Sequence, residues 1–209
     1  SVENTTNAGG GSVWPIEEII SVTQAAKENG LSAHMDGARL MNAVVESGTT
    51  AKEYGRHFDS LWLDLSKGLG CPIGGVLAGS ADFIEKAWRF KQQIGGAMRQ
   101  AGIVAAAGIY ALEKHVDRLV EDHKNARAFC REIAQIPGIK LIFDHCPTNL
   151  VFFDVSETGM DAATVAENLL THDVRIGAMG PYRMRAVTHL DVNQEQLSEA
   201  AEALRKVVA

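Results

Sequence analysis

Two short apolar runs, each closing on a turn that carries a reactive side chain, constrain this chain more than any other feature. Leu31 to Met35 reads as a strand that runs into Asp36-Gly37-Ala38-Arg39, and Ser60 to Leu65 reads as a second that runs into Ser66-Lys67-Gly68-Leu69-Gly70. A helical pattern from about Ala38 to Glu46 lies between them. Strands alternating with helices at this spacing predict a mostly parallel sheet with crossover helices. Asp36 and Lys67, about one βαβ unit of roughly 30 residues apart, then fall on the same carboxyl edge, where the chemistry of such sheets gathers.

The flanking sequence supports this frame. Ser12 and Pro15 supply helix-start signals, Ile16, Ile19, Ile20 and Thr23 fall on one face, and Gly30 ends that helix. Gly75 to Ala78 is a third short strand candidate, and the pattern from Ala81 to Gln135 is largely helical, broken at Gly95-Gly96. It predicts one helix near Ala101 to His115, whose face at Ile103, Ala107 and Ala111 reads as buried packing in a core or subunit interface, and another from Asp117 to Ile136.

The last third changes character. Strands are expected at Gly138 to Phe143, Leu150 to Val155, Val174 to Ile176 and Met184 to Thr188, with helices at Asp161 to Thr171 and from Gln194. The expected organisation is a mostly parallel α/β domain over residues 1–115 and a small α+β domain over 116–209.

Composition narrows the function. A net charge of −6 opposes a nucleic-acid footprint and favours small-molecule chemistry. No run approaches the roughly 18 apolar residues needed to span a bilayer. The three cysteines, Cys71, Cys130 and Cys146, are widely spaced without a CxxC pair, so neither a disulfide framework nor a zinc site is expected and a reducing cytoplasm fits. The histidines show no metal-ligand spacing, and no metal is expected.

Taken singly, the candidate residues have plain readings. An aspartate at a strand end commonly caps a helix, and a lysine before Gly-Leu-Gly commonly sits in a surface turn. As a pair they match what a pyridoxal phosphate enzyme asks of its protein, a lysine for the Schiff base and an acid beside the pyridine nitrogen.

Further blocks carry a family resemblance. His34-Met35-Asp36-Gly37-Ala38-Arg39 is similar to the H-x-D-G-A-R motif of threonine aldolases and related β-eliminating lyases. Leu65-Ser66-Lys67-Gly68-Leu69-Gly70, followed by Cys71-Pro72-Ile73-Gly74, resembles the family's lysine-bearing segment. Gly95-Gly96-Ala97-Met98-Arg99-Gln100-Ala101-Gly102, Arg185-Ala186-Val187-Thr188-His189 and Glu3-Asn4-Thr5 resemble its G-G-x-M-R-Q-x-G, R-x-V-T-H and E-N-T blocks. The blocks stand in the family's order along nearly the whole chain.

The resemblance implies the later part of a fold-type-I large domain followed by a small α+β domain, and pyridoxal 5'-phosphate as cofactor. It implies that Lys67 forms the Schiff base, Asp36 pairs with the pyridine nitrogen, and Arg185 clamps the substrate carboxylate. Arg39 would lie beside the cofactor's phenolic oxygen or the carboxylate, since a guanidinium fork matches a carboxylate in two-point contact. Arg99 would contact phosphate or a subunit interface, or form a structural salt bridge. His34 shares a strand face with Asp36 and reads as structural.

The implied reaction is cleavage of threonine or allo-threonine to glycine and an aldehyde, by a homodimer or homotetramer. The alternatives are β-elimination on another amino acid, or a fragment inactive without an N-terminal part. Two departures stand out. Gln92 occupies the position where family members often carry a lysine, and the family's N-terminal stretch, with its phosphate loop and ring-stacking histidine, is not found.

Overall fold

The computed structural model describes residues 1–209, which divide into two compact units: Ser1–Thr6 with Val13–Leu119, and Asn7–Ser12 with Val120–Ala209. No helix is long and apolar enough to cross a membrane.

In the first unit, β1 (Val2–Glu3), β2 (His34–Gly37), β3 (Ser60–Asp64) and β4 (Gly75–Gly79) form a sheet in that order. β1, β2 and β3 are parallel, with Asp36 opposite Trp62 across the β2–β3 pair. β4 runs antiparallel to β3, because the Leu65–Gly74 connection is too short for a crossover and turns straight back. Helices α1 (Ile16–Glu28), α2 (Leu40–Ser47) and α3 (Ala51–Gly55) supply Ile19, Leu40, Ala43 and Tyr54 to an apolar cluster with Met35 and Leu63 of the strands. Thr50 caps α3, its hydroxyl accepting from the Glu53 amide.

Several expectations shift. The strand expected at Leu31 starts only at His34, after Leu31 has been left 64% exposed. Of the expected face of α1, Ile19 and Thr23 are buried, whereas Ile20 is exposed. Helices α4 (Ala81–Gln93) and α5 (Gly102–Lys114) follow, and the Gly95-Gly96 break separates them as expected. α4 buries none of its side chains, and on α5 Ala111 is buried while Ile103 is 80% exposed, so that face is not continuous packing within this chain.

The second unit holds α6 (Leu119–Ile133), less its first residue, and a sheet in the order β5 (Lys140–Leu141), β6 (Leu150–Asp154), β8 (Arg183–Val187), β7 (Gly177–Ala178), antiparallel throughout. α7 (Ala162–Leu170) and α8 (Gln194–Val208) complete it. Phe129 and Ile133 of α6, Val165 and Leu169 of α7, and Leu197 and Leu204 of α8 enclose Val151, Phe153, Met184 and Ala186 of the sheet.

Alternation along β8 buries Met184 and Ala186 and turns Arg183 and Arg185 to the other face. The strand expected at Val174–Ile176 forms instead at Gly177–Ala178. Asp173, in a left-handed conformation, ends the preceding turn, and pairing to β8 begins only at Gly177. Asn193 and Gln196 cap α8 reciprocally, fixing its start.

Candidate active site

The parallel register of β2 and β3 gathers the polar side chains on one sheet face. His34 pairs with Ser60 and Asp36 with Trp62, and residues in register point the same way, as do residues two apart on a strand. His34, Asp36, Ser60, Trp62 and Asp64 therefore share a face, while Met35 and Leu63 go to the apolar cluster on the other.

Lys67 follows β3 in a loop closed by three backbone hydrogen bonds: the Leu65 amide to the Gly74 carbonyl, the Cys71 amide to the Leu65 carbonyl, and the Gly70 amide to the Lys67 carbonyl. Its side chain folds back over the polar face. The Nζ atom lies 2.8 Å from Asp64 Oδ2 and 5.2 Å from the centre of the Trp62 ring. Since Trp62 is the register partner of Asp36, the lysine amine lies over the sheet face that carries that aspartate.

Asp64 is almost fully covered, with 9% of its side chain exposed. Burial pushes its carboxyl up, but the hydrogen bonds from Lys67 and from the Ser66 hydroxyl and amide outweigh burial, so it titrates below the ordinary carboxylate value. The Asp36 Oδ1 atom accepts from the Ala38 amide at 3.0 Å, and the Asp36 carbonyl accepts from Asn4, which ties β2 to the end of β1.

The other candidates fall in different places. Arg39 is buried at the N-cap of α2, three residues beyond Asp36. Arg99 is exposed in the connection between α4 and α5, and no hydrogen bond or ion pair joins it to Asp36, Arg39 or Lys67. His34 bonds Ser60 Oγ at 2.8 Å near the start of its strand, a structural position. Arg185 belongs to the second unit, where its Nη1 donates to Asn7 Oδ1 at 2.7 Å.

Sequence reasoning did not find Asp64, Trp62 or Asn7. Asp64 was open to detection as an acid three positions before Lys67, across a strand end. Asn7 had no local signal, because its partner lies 178 residues away.

The Beta-eliminating lyase family model matches residues 1–158. The chain belongs to the beta-eliminating lyase family. Among curated relatives of this family member, the low specificity L-threonine aldolase of Escherichia coli strain K12 is 42% identical over 209 residues, 100% of this chain and 60% of that protein. The low-specificity L-threonine aldolase of Candida albicans is 40% identical over 207 residues, 98% of this chain and 52% of that protein. The solved threonine aldolase of Leishmania major has the same α/β fold, with a TM-score of 0.74 at 20% identity, over 99% of this chain and 60% of that one. This lyase-family chain thus spans about 60% of the length of the Escherichia coli relative.

Chemically, the polar face of this lyase-family chain suits pyridoxal phosphate. It presents a primary amine from the loop after β3 and a carboxylate from the neighbouring parallel strand β2, with the Trp62 indole beside the amine. A second carboxylate, Asp64, keeps the amine over that face.

Proposed function

We propose that this chain supplies the lysine-bearing part of a pyridoxal phosphate lyase that cleaves threonine or allo-threonine to glycine and acetaldehyde. The observation that carries the reading is the Lys67 amine folded back over the sheet face it shares with Asp36. Identity of 42% to the Escherichia coli low specificity L-threonine aldolase across the whole of this chain supports the choice of reaction.

Lys67 would hold the cofactor through its side-chain nitrogen, and Asp36 would keep the pyridine nitrogen protonated. When bound, pyridoxal phosphate supplies an electron sink for the charge left as the Cα–Cβ bond breaks. The rest is positioning. Asp64 holds the lysine amine over the face where the cofactor would bind.

Arg185 takes the substrate carboxylate in two-point contact, which fixes the direction of the Cα–Cβ bond. Arg39 adds positive charge beside the carboxylate or the phenolic oxygen. Arg99 serves phosphate or a subunit contact. The β-hydroxyl proton needs an acceptor, and we assign it to no residue of this chain.

The working assembly in this reading is a cytoplasmic homodimer or homotetramer that includes polypeptide equivalent to the part of the relatives this chain does not span. Residues 1–115 would belong to the cofactor domain and 116–209 to the small domain. Two observations support cover by further protein. α4 buries no side chain, and Trp88, Phe90, Ile94 and Ile103 are more than half exposed. The three cysteines are free and buried, as suits a reducing compartment.

Incubating the full-length gene product with threonine and coupling acetaldehyde to NADH oxidation tests the reading. Acetaldehyde formation lost in Lys67→Ala is the expected result. Pyruvate from a β-substituted amino acid, with no acetaldehyde from threonine, would overturn it in favour of β-elimination. The 209-residue chain turning yellow with pyridoxal phosphate only beside an N-terminal partner would identify it as a fragment.

A further inference from the structure

Residues Asn7 to Ser12 lie in the second unit although they are remote from it in sequence, and they are laid against the sheet face that carries Arg183 and Arg185. Three contacts hold them. The Thr148 hydroxyl donates to the Gly11 carbonyl at 2.7 Å, Arg183 Nη2 donates to the Ala8 carbonyl at 3.1 Å, and Arg185 Nη1 donates to Asn7 Oδ1 at 2.7 Å. The glycine run makes this close approach feasible. Gly10 and Gly11 are left-handed, and a Cβ on either would come within 2.4 Å of the Phe143 ring or the Thr148 hydroxyl.

The two arginines are held differently. The Arg183 guanidinium lies 4.4 Å over the Phe152 ring and 5.9 Å from that of Phe143, so its flat surface is spent on aromatic packing. Arg185 is held at one nitrogen by a neutral amide. An amide oxygen orients a guanidinium without cancelling its charge. A carboxylate at the same place would orient it equally well and compete with any carboxylate ligand.

We propose that Asn7 is a positioning residue that aims Arg185 at the substrate carboxylate, its neutrality keeping the full positive charge for the ligand. This rests on the reading of Arg185 as the carboxylate clamp. One of the five guanidinium N–H donors goes to Asn7, and two-point capture of a carboxylate needs only two of the remainder. The inference makes a distinction that a purely structural role would not: Asn7→Asp keeps shape and acceptor yet should harm substrate binding more than Asn7→Ala does.

The test uses the full-length holoenzyme and four variants: Asn7→Ala, Asn7→Asp, Arg185→Ala and Thr148→Val. Expected are a KM for threonine raised about 10-fold in Asn7→Ala, as for loss of a hydrogen bond to a charged group, and raised further in Asn7→Asp, with kcat within about twofold. The melting-temperature rise produced by saturating glycine should shrink in the same order. Thr148→Val, which loosens the same segment away from the guanidinium, should lower the melting temperature without the KM change. If Asn7→Asp matches the unaltered enzyme in KM and in the glycine-induced rise while Arg185→Ala does not, the positioning role is wrong and the clamp stands. An unchanged KM in Arg185→Ala would remove the clamp itself.

Discussion

The Lys67 ammonium sits 2.8 Å from the Asp64 carboxylate, three residues before it on the strand that delivers it. The acid also takes both the hydroxyl and the amide of Ser66, at 2.7 Å each. Asp64 is therefore the fixed point of the strand-to-loop turn, and Lys67 is held by it rather than by its own packing.

That arrangement predicts an acid-sensitive loop. The folded carboxyl titrates below its ordinary value of 3.8, so its contribution is complete above that value and is lost as pH falls through the lower folded one. Asp64→Ala should cost about 1–3 kcal/mol near neutrality, because the Ser66 amide and hydroxyl and the Lys67 ammonium lose hydrogen bonds to a carboxylate. Urea unfolding from pH 6 to pH 3 checks it: the gap between the two proteins should narrow below about pH 4. A gap of constant size would mean that the carboxyl is not held low in the folded state.

The motif glycines beside Asp36 and Lys67 should respond very differently to alanine. A Cβ on Gly37 would come within 2.1 Å of the Trp62 carbonyl oxygen, a backbone atom in the β2–β3 ladder. Gly37→Ala must spread that pair and should cost more than about 3 kcal/mol. On Gly68 the Cβ meets Asn42 Oδ1 at 2.9 Å and a Leu119 methyl at 3.1 Å, side-chain atoms rather than backbone. A cost nearer 1 kcal/mol is expected there. Chemical denaturation of the two variants, run side by side, separates a backbone collision from a side-chain one.

The frame of the first sheet was legible because its two signals are local. The apolar runs at Met35 and Leu63 alternate with Asp36, Trp62 and Asp64, so sequence order alone set the same-edge relation of Asp36 and Lys67. What escaped was non-local or competitive. β7 slid from Val174–Ile176 to Gly177–Ala178 because pairing with β8, not the apolar pattern, decides where an edge strand begins. Ile20 falls on the apolar face of its helix and Ile103 on a face read as core or subunit interface, yet within this chain both are exposed. Hydrophobic spacing reports which face is apolar and says nothing of what covers it. Asn7 and Arg185 meet only through the folded chain.

Cys71 and Cys146 should be silent as thiols in the native protein. Cys130 and Cys146 are both buried, and the hydrogen bond that the Cys146 thiol donates to Cys130, together with burial, pushes the Cys146 thiol well above its ordinary range. Burial and the nearby Asp64 charge push Cys71 up as well. Alkylation needs the thiolate and access, so iodoacetamide labelling of these two at pH 8 should appear only as the protein opens in urea. Rapid native labelling of Cys146 would contradict the burial.

In the proposed function the R-x-V-T-H block divides into a clamp arginine, Arg185, and a structural threonine, Thr188. Thr188 is fully buried. Its hydroxyl donates to the Asp122 carbonyl of α6 at 2.7 Å, and its carbonyl accepts from Asn149 Nδ2 at 3.0 Å. It therefore pins the end of β8 to α6 and to the start of β6. Thr188→Val keeps the shape and the backbone bonds and removes only the hydroxyl bond, worth about 1 kcal/mol net. Asn149→Ala strips the side-chain donor from the buried Thr188 carbonyl and opens a gap beside Leu150, so it should cost more, about 2–3 kcal/mol. Denaturant midpoints for both variants, with KM for threonine on the full-length enzyme, test the division. A raised KM in Thr188→Val with stability unchanged would move the threonine from the scaffold to the substrate.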